Sequence, residues 1–251
     1  MLHQFSRCEL AFGPEGLETM KNASVAVLGV GGVGSFSVEA LARTGVGKLV
    51  LIDKDVVDIT NINRQIHANL NTIGQSKTEL MKERVQAINP ECEVVTLNMF
   101  YSEETADQLF AHKLDYIVDA MDTVSAKIHL IIEAKKRNIP IISSMGAANK
   151  MDPTKFEVED ISKTSYDPIA KVIRRELRKE RIYKGVKVVY SKELPVTIRT
   201  DVREQIVSNP DSPIRKVKQP PASNAFVPSV AGLILASVVV RDLIGWVPKK
   251  G

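Results

Sequence analysis

Residues 25–34 read Val25-Ala26-Val27-Leu28-Gly29-Val30-Gly31-Gly32-Val33-Gly34, and their reading decides the fold. The apolar, β-branched run Val25 to Val30 predicts a short buried strand. Val33 to Arg43 follows with Val38, Leu41 and Ala42 at helical spacing. Strand, glycine turn and helix therefore follow one another directly. Glycine lacks a Cβ, so such a turn is tight and its backbone can approach a phosphate. The helix start adds free N–H groups and the positive end of its dipole.

The alternation continues outward. Strands are predicted at Lys48 to Asp53, Glu93 to Asn98, Asp115 to Ala120 and Ile139 to Ser143. Helices fall between them at Gln75 to Asn89, Glu103 to His112 and Thr123 to Asn138. This order predicts an α/β fold, a Rossmann-like doubly wound and mostly parallel sheet covered on both faces. After Pro153 the pattern becomes mixed. Strands are expected at Phe156 to Ile161 and Val186 to Tyr190, flanking a basic helix from Ile169 to Ile182. Ile169, Val172, Ile173 and Leu177 are expected on its inner face. Residues 208–224, with Pro210, Pro213, Pro220 and Pro221, read as a loop. Phe226 to Trp246 is apolar, but Pro228, Ser229 and Ser237 interrupt it and Arg241-Asp242 cut it short of the roughly 20 residues a membrane span needs. It reads as a helix of the core or of a subunit interface. Residues 1–150 and a mixed α/β extension, 151–251, are expected to form one continuous domain.

Composition narrows the class. Of 251 residues, 44% are hydrophobic and 25% charged, which excludes a disordered or fibrous chain. Two cysteines, Cys8 and Cys92, make no disulfide framework, and no CxxC pair offers structural zinc. His3, His67, His112 and His129 lack metal-ligand spacing. The N-terminal residues show no secretory pattern, so a cytoplasmic setting is expected. Residues 1–150 hold 15 Lys/Arg against 18 Asp/Glu, and residues 151–251 hold 19 against 12. The basic half suggests an anionic partner.

Three further signals carry chemistry. Asp53 ends the next strand, where an acid can accept hydrogen bonds from ribose hydroxyls. Glycines and acid alone favour a nicotinamide or flavin dinucleotide. Asn61-Ile62-Asn63-Arg64-Gln65 and Gly74-Gln75-Ser76-Lys77 shift that choice toward a triphosphate. Arg64 can fork onto two phosphate oxygens, and Lys77 adds a point charge. Asp119-Ala120-Met121-Asp122 ends another strand, where ligands sit in open α/β sheets. Asp122 is a hard oxygen ligand suited to Mg²⁺. Singly, Arg64 and Lys77 read as surface charges, and Asp122 as a cap for the helix near Thr123. Their joint order favours the functional reading.

GVGGVG, the strand ending in Asp53, NINRQ, GQSK and DAMD together resemble the ubiquitin-activating (E1-like) adenylyltransferase family, from Arg7 to about Val240. LARTGVGKLVLID, TNINRQIHA, INPECEV and DPIAKVIRRELRK are most similar to its tRNA threonylcarbamoyladenosine dehydratases. The resemblance implies that Gly29, Gly31, Gly32 and Gly34 cradle ATP and that Asp53 holds its ribose. It implies that Asn61, Arg64 and Lys77 face the phosphates and that Asp122 holds Mg²⁺. Arg7, six residues before Gly13, would reach a partner subunit's site, which implies a homodimer. Arg7, Arg64, Lys77 and Asp122 form the implied catalytic set. Residues 1–150 would be the adenylation region, and 151–251 the tRNA side and dimer interface. A monovalent cation and a sulfur-relay protein are further accessories the resemblance raises.

Departures from the wider family count too. No CxxC pairs are present, and neither Cys8 nor Cys92 sits where a thioester cysteine is expected. An adenylate made here should be consumed directly, as intramolecular cyclisation does. Lys171, Arg174, Arg175, Arg178, Lys179, Arg181, Lys184 and Lys187, with Arg215, Lys216 and Lys218, suit a tRNA backbone. Tyr183 and Phe226 read either as stacking platforms or as core. Ser223, Asn224 and Met145-Gly146-Ala147 are candidates for the substrate side. The competing readings are an adenylyltransferase for a carrier protein's C-terminal glycine, a nicotinamide-dependent oxidoreductase and an ATP-sensing module.

Overall fold

The computed structural model describes residues 2–208 and 221–247. In chain order the elements are α1 (Ser6–Asn22), β1 (Ser24–Leu28), α2 (Gly34–Arg43), β2 (Lys48–Ile52), α3 (Lys77–Ile88), β3 (Glu93–Leu97), α4 (Ala106–Phe110), β4 (Tyr116–Asp119), α5 (Val124–Lys136) and β5 (Ile141–Ser144). They continue with β6 (Phe156–Asp160), α6 (Pro168–Lys179), β7 (Lys187–Ser191), α7 (Thr200–Ser208) and α8 (Phe226–Leu243).

The strands form one sheet in the order β3-β2-β1-β4-β5-β7-β6. Every pairing is parallel except β6 with β7. The two late strands thus extend the same sheet. Strand order reverses between β1 and β4, and the crevice at their C-terminal ends is where such sheets bind ligands. Alternate side chains feed two cores. Val25, Val27, Leu49, Leu51 and Val118 pack beneath α2, α3 and α8. Ala26, Leu28, Val50, Ile52 and Ile117 pack beneath α4, α5 and α6. This double burial explains why the strands read as continuous apolar runs rather than alternating ones.

Helix α8 is long and apolar enough to cross a membrane by composition. Here it packs along α2 and β5, with Ala231, Leu235, Ala236, Val238 and Val239 in the core. The contact is close: a Cβ on Gly232 would lie 2.2 Å from the Val33 carbonyl oxygen. Ser37 Oγ donates to the Gly232 carbonyl at 2.9 Å. The core-helix expectation holds.

Several expectations need correction. Val172 is exposed, and the inner face of α6 is Ile169, Ala170, Ile173 and Leu177. The 103–112 helix shortens to Ala106–Phe110. The chain before β1 is helical, but with a break at Gly13 (φ +75°) ahead of Pro14, which hides its periodicity. Residue 208 ends helix α7, and 221–224 are irregular. Residues 209–220, with Arg215, Lys216 and Lys218, lie outside the described residues. Tyr183 and Phe226 are exposed, which removes the core reading for both.

Candidate functional site

The glycine turn sits at the sheet's switch point, between the ends of β1 and β4. Gly29 has φ +82°, and a Cβ there would lie 2.7 Å from the Ala120 carbonyl oxygen. A Cβ on Gly34 would lie 1.8 Å from the Gly29 carbonyl oxygen. Only glycine lets the start of α2 fold onto the strand end and lets that strand end rest on the 120–121 peptide. Gly31 faces open space, its nearest neighbour being Gln65 Nε2 at 3.8 Å from a built Cβ. The aliphatic stem of Arg64 crosses Gly32. The backbone of this turn is thus accessible, and the α2 N-terminus points into the crevice.

Asp53 follows β2 and braces the turn. Its Oδ2 accepts the Val30 N–H at 2.7 Å and its Oδ1 accepts the Asp55 N–H at 2.9 Å. Burial raises its carboxyl above the ordinary value, and the nearby Lys77 charge opposes that rise. Lys77 is the first residue of α3, whose N-terminus is capped by Ser76. It is 5% exposed, and its Nζ lies 3.1 Å from Asp55 Oδ2. Burial removes the surface-charge reading for Lys77.

Asn61 and Arg64 stand on the loop between β2 and α3. Asn61 is buried, and its Oδ1 accepts the Asp58 N–H at 3.1 Å. Arg64 Nη1 donates to the Thr60 carbonyl at 2.7 Å and to Asn63 Oδ1 at 2.8 Å. A guanidinium carries five N–H groups, so these two contacts leave three available. Asp122 follows β4 and is exposed. Thr123 Oγ1 donates to its Oδ1 at 3.3 Å. Thr123, not Asp122, occupies the N-cap of α5, so the capping alternative for Asp122 is excluded.

The structure therefore brings Gly29, Gly31, Gly32, Gly34, Asp53, Asn61, Arg64, Lys77 and Asp122 to one end of the sheet. It does not bring Arg7 there. Arg7 is exposed on α1, and its neighbour Cys8 meets the Arg43 carbonyl at the C-terminal end of α2. That is one helix length, about 15 Å, from the glycine turn. Among the described residues no group of three or more His, Cys, Asp or Glu forms a metal cluster. A lone carboxylate such as Asp122 still suits Mg²⁺, which keeps waters and substrate phosphates as its other ligands. Burial pushes Cys92 up to about 12 and raises Cys8 as well, which disfavours the thiolate at both.

One group of residues escaped the sequence reading. Asp119, Lys127 and Ser143 form a buried polar network under the site. Its signal was a lysine on the inner face of α5, in register with Leu130, Ile131 and Ala134. Asn224 and Ser223 tie loops together instead of pointing freely: Asn224 Nδ2 donates to the Lys150 carbonyl, and Asn63 Nδ2 donates to the Ser223 carbonyl. Met145 is buried, and the Gly146 N–H donates to Asp167 Oδ2 at 3.3 Å.

Residues 5–250 match the ThiF family. The chain is 65% identical to the tRNA threonylcarbamoyladenosine dehydratase of Bacillus subtilis, over 97% of this chain and 96% of that protein. The crystal structure of the Escherichia coli tRNA N6-threonylcarbamoyladenosine dehydratase in complex with ATP superposes with a TM-score of 0.84 at 32% identity, covering 96% of this chain and 94% of that one. A molybdopterin-synthase adenylyltransferase of Salmonella typhimurium is 35% identical over only 56% of this chain.

Proposed function

Because the chain belongs to the ThiF family, we infer that it is an ATP-dependent dehydratase of threonylcarbamoyladenosine in tRNA. The observation that carries this reading is the likeness to the dehydratases along nearly the whole chain, beyond the nucleotide half shared with an adenylyltransferase. The crevice geometry agrees with it. ATP lies with its phosphates on the glycine turn and the α2 N-terminus, and Asp53 takes the ribose hydroxyls. The threonine carboxylate of the modified nucleoside attacks the α-phosphorus, and pyrophosphate leaves. Arg64 and Lys77 stabilise the charge that develops on the phosphate oxygens. A carbamoyl atom of the same side chain then attacks the activated carbonyl and expels AMP. Proximity replaces an enzyme nucleophile in that step. Asp122 would hold Mg²⁺, which when bound neutralises charge on the phosphates.

The distance of Arg7 from its own chain's crevice supports a homodimer in which each Arg7 serves the partner's site. Arg7→Ala should then lower turnover while leaving ATP affinity unchanged. A tRNA substrate supports the cytoplasmic setting.

Helix α6 supports a tRNA-facing flank. It starts at the rim of the crevice, next to Gly146, and runs about 18 Å along the sheet. The structure sorts its basic residues. Arg174 is spent on the Ile161 and Thr164 carbonyls. Arg175 and Lys179 pair with Glu176, and Lys187 pairs with Asp242. Among the described residues, Lys171, Arg178, Arg181 and Lys184 carry no ion pair and stay exposed for phosphates. Removing one cation that meets a phosphate should flatten the slope of log affinity against log salt by about one unit. Charge reversal at Arg178 and Lys184 should show this, whereas Lys82→Glu, on the opposite face of the sheet, should not.

The deciding experiment incubates the protein with ATP, Mg²⁺ and threonylcarbamoyl-modified tRNA. AMP release with loss of one water, about 18 Da, from the modified adenosine confirms the reading. ATP binding with neither product refutes it.

A further inference from the structure

Three side chains unused by the reaction scheme meet directly beneath the crevice. Asp119, at the end of β4, is 0% exposed, and Lys127 of α5 is 1% exposed. Lys127 Nζ donates to Asp119 Oδ2 at 3.0 Å and to the Ser144 carbonyl at 2.8 Å. Ser143 Oγ donates to the same Asp119 oxygen at 2.5 Å. The ammonium thus spans the last residues of β4 and β5. The second carboxylate oxygen, Oδ1, accepts the Met121 N–H at 3.2 Å and bends the chain leaving β4. That bend carries Ala120, whose N–H donates to the Leu28 carbonyl at 2.8 Å and whose carbonyl walls the Gly29 turn. Asp122 is the next residue but one.

Burying two full charges costs several kcal/mol in desolvation, and apolar residues of equal volume commonly do as well for stability. Stability alone therefore gives no reason for the pair. Its geometry does, because it joins the two strand ends and the turn that presents Asp122.

We propose that Lys127 is a positioning residue whose ammonium, through Asp119 and the end of β5, fixes where Asp122 and the 120–121 peptide stand against the glycine turn. The proposal rests on the ATP-site reading given above. It needs no contact between Lys127 and substrate.

The test compares wild type with Lys127→Met and with the double variant Asp119→Asn/Lys127→Met. The single variant leaves an unpaired buried carboxylate. The double variant removes that charge, and the carboxamide that replaces the carboxylate can still accept the Met121 N–H. Thermal midpoint, ATP affinity, turnover and amide exchange over residues 119–124 are measured on each. The double variant should regain most of the midpoint that the single one forfeits. Its kcat should stay about a hundredfold low, the scale of a 1 Å misplacement, with ATP affinity unchanged. Its 119–124 amides should exchange faster than those of wild type. Wild-type kcat and wild-type exchange in the double variant would overturn the proposal, as would weakened ATP binding with unchanged kcat. Ser143→Ala leaves both charges in place and should show the same signature more weakly, which keeps the test decisive if the double variant fails to fold. Should wild type itself yield no product from the modified tRNA, the substrate reading fails while the exchange comparison still decides the positioning role.

Discussion

Two lysine–aspartate pairs stand on either side of the crevice, and they are built to opposite ends. Lys77 and Asp55 approach to 3.1 Å, Lys127 and Asp119 to 3.0 Å. The lysines are alike in burial, with side chains 7% and 2% exposed. The acids are not: Asp55 is 54% exposed and Asp119 is 0%. Water can take over Asp55 when Lys77 turns away, as the proposed phosphate contact requires. Nothing can take over Asp119. On the proposed ATP-site reading, the first pair is a holding contact for the lysine that meets the phosphates, and the second is part of the frame. An ion pair's role is thus set by whether its acid can be resolvated, not by its distance.

The largest expected effect breaks the sealed pair. Lys127→Met should cost about 3–5 kcal/mol of folding stability, because it strands a buried carboxylate. Urea unfolding measures this, and a cost under about 1 kcal/mol would erase the contrast. The next acts on the open pair. Lys77→Met should lower kcat/KM about 10²- to 10³-fold, the effect of removing one preorganised charge stabiliser, with little change in the unfolding midpoint. A loss of stability matching that of Lys127→Met would show that the two pairs are alike after all.

The open side also carries a pH signature. His67 is 5% exposed, and among the described residues neither ring nitrogen has a hydrogen-bond partner. Burial, with the Lys77 and Arg84 charges behind it, lowers its pKa to about 4. Its folded-state value lies below the ordinary 6.5, so the folded protein binds fewer protons than the unfolded one. The stability this contributes is complete above about pH 6.5 and falls away as pH drops toward 4. Between pH 7 and pH 5 the loss should be about 2 kcal/mol. His67→Phe should abolish that slope, and Lys77→Met should shallow it. The smallest effect sharpens the comparison most. Asp55→Asn should cost less than about 1 kcal/mol, as exposed pairs do, and should tighten ATP binding by removing a competing carboxylate. Calorimetry with ATP checks the sign.

These differences also mark what the sequence could disclose. The glycine turn was legible because its constraint is local: a positive φ and a close backbone approach leave glycine as the only option. The parallel sheet was legible because double burial makes uninterrupted apolar strands. Asp53 was legible because its distance from the turn follows from one helix and one loop. Lys127 was not, since a lysine every few residues along a helix is ordinary and only tertiary packing turns this one inward. Arg174 misled for the converse reason. It belongs to a basic run that reads as phosphate-binding, yet the carbonyls at 161 and 164 claim it. The Gly13 break in α1 hid a helix whose two halves are each too short to show a period. The roles of Arg7 and Asp122 rest on the resemblance alone, and for neither does the chain's own folding supply the reason.

The contact between Ser37 and Gly232 joins residues 195 positions apart. Its consequence lies in the order of synthesis. The nucleotide turn leaves the ribosome well before α8, the helix that buttresses it. At roughly 5–20 residues per second, about 10–40 s pass before the two can meet. For that interval α2 can pack on β1 and α3, but the side of it that meets α8 has no cover. The glycine turn is encoded early and seated late, so a stalled or C-terminally truncated product would carry the whole glycine motif without the helix that seats it.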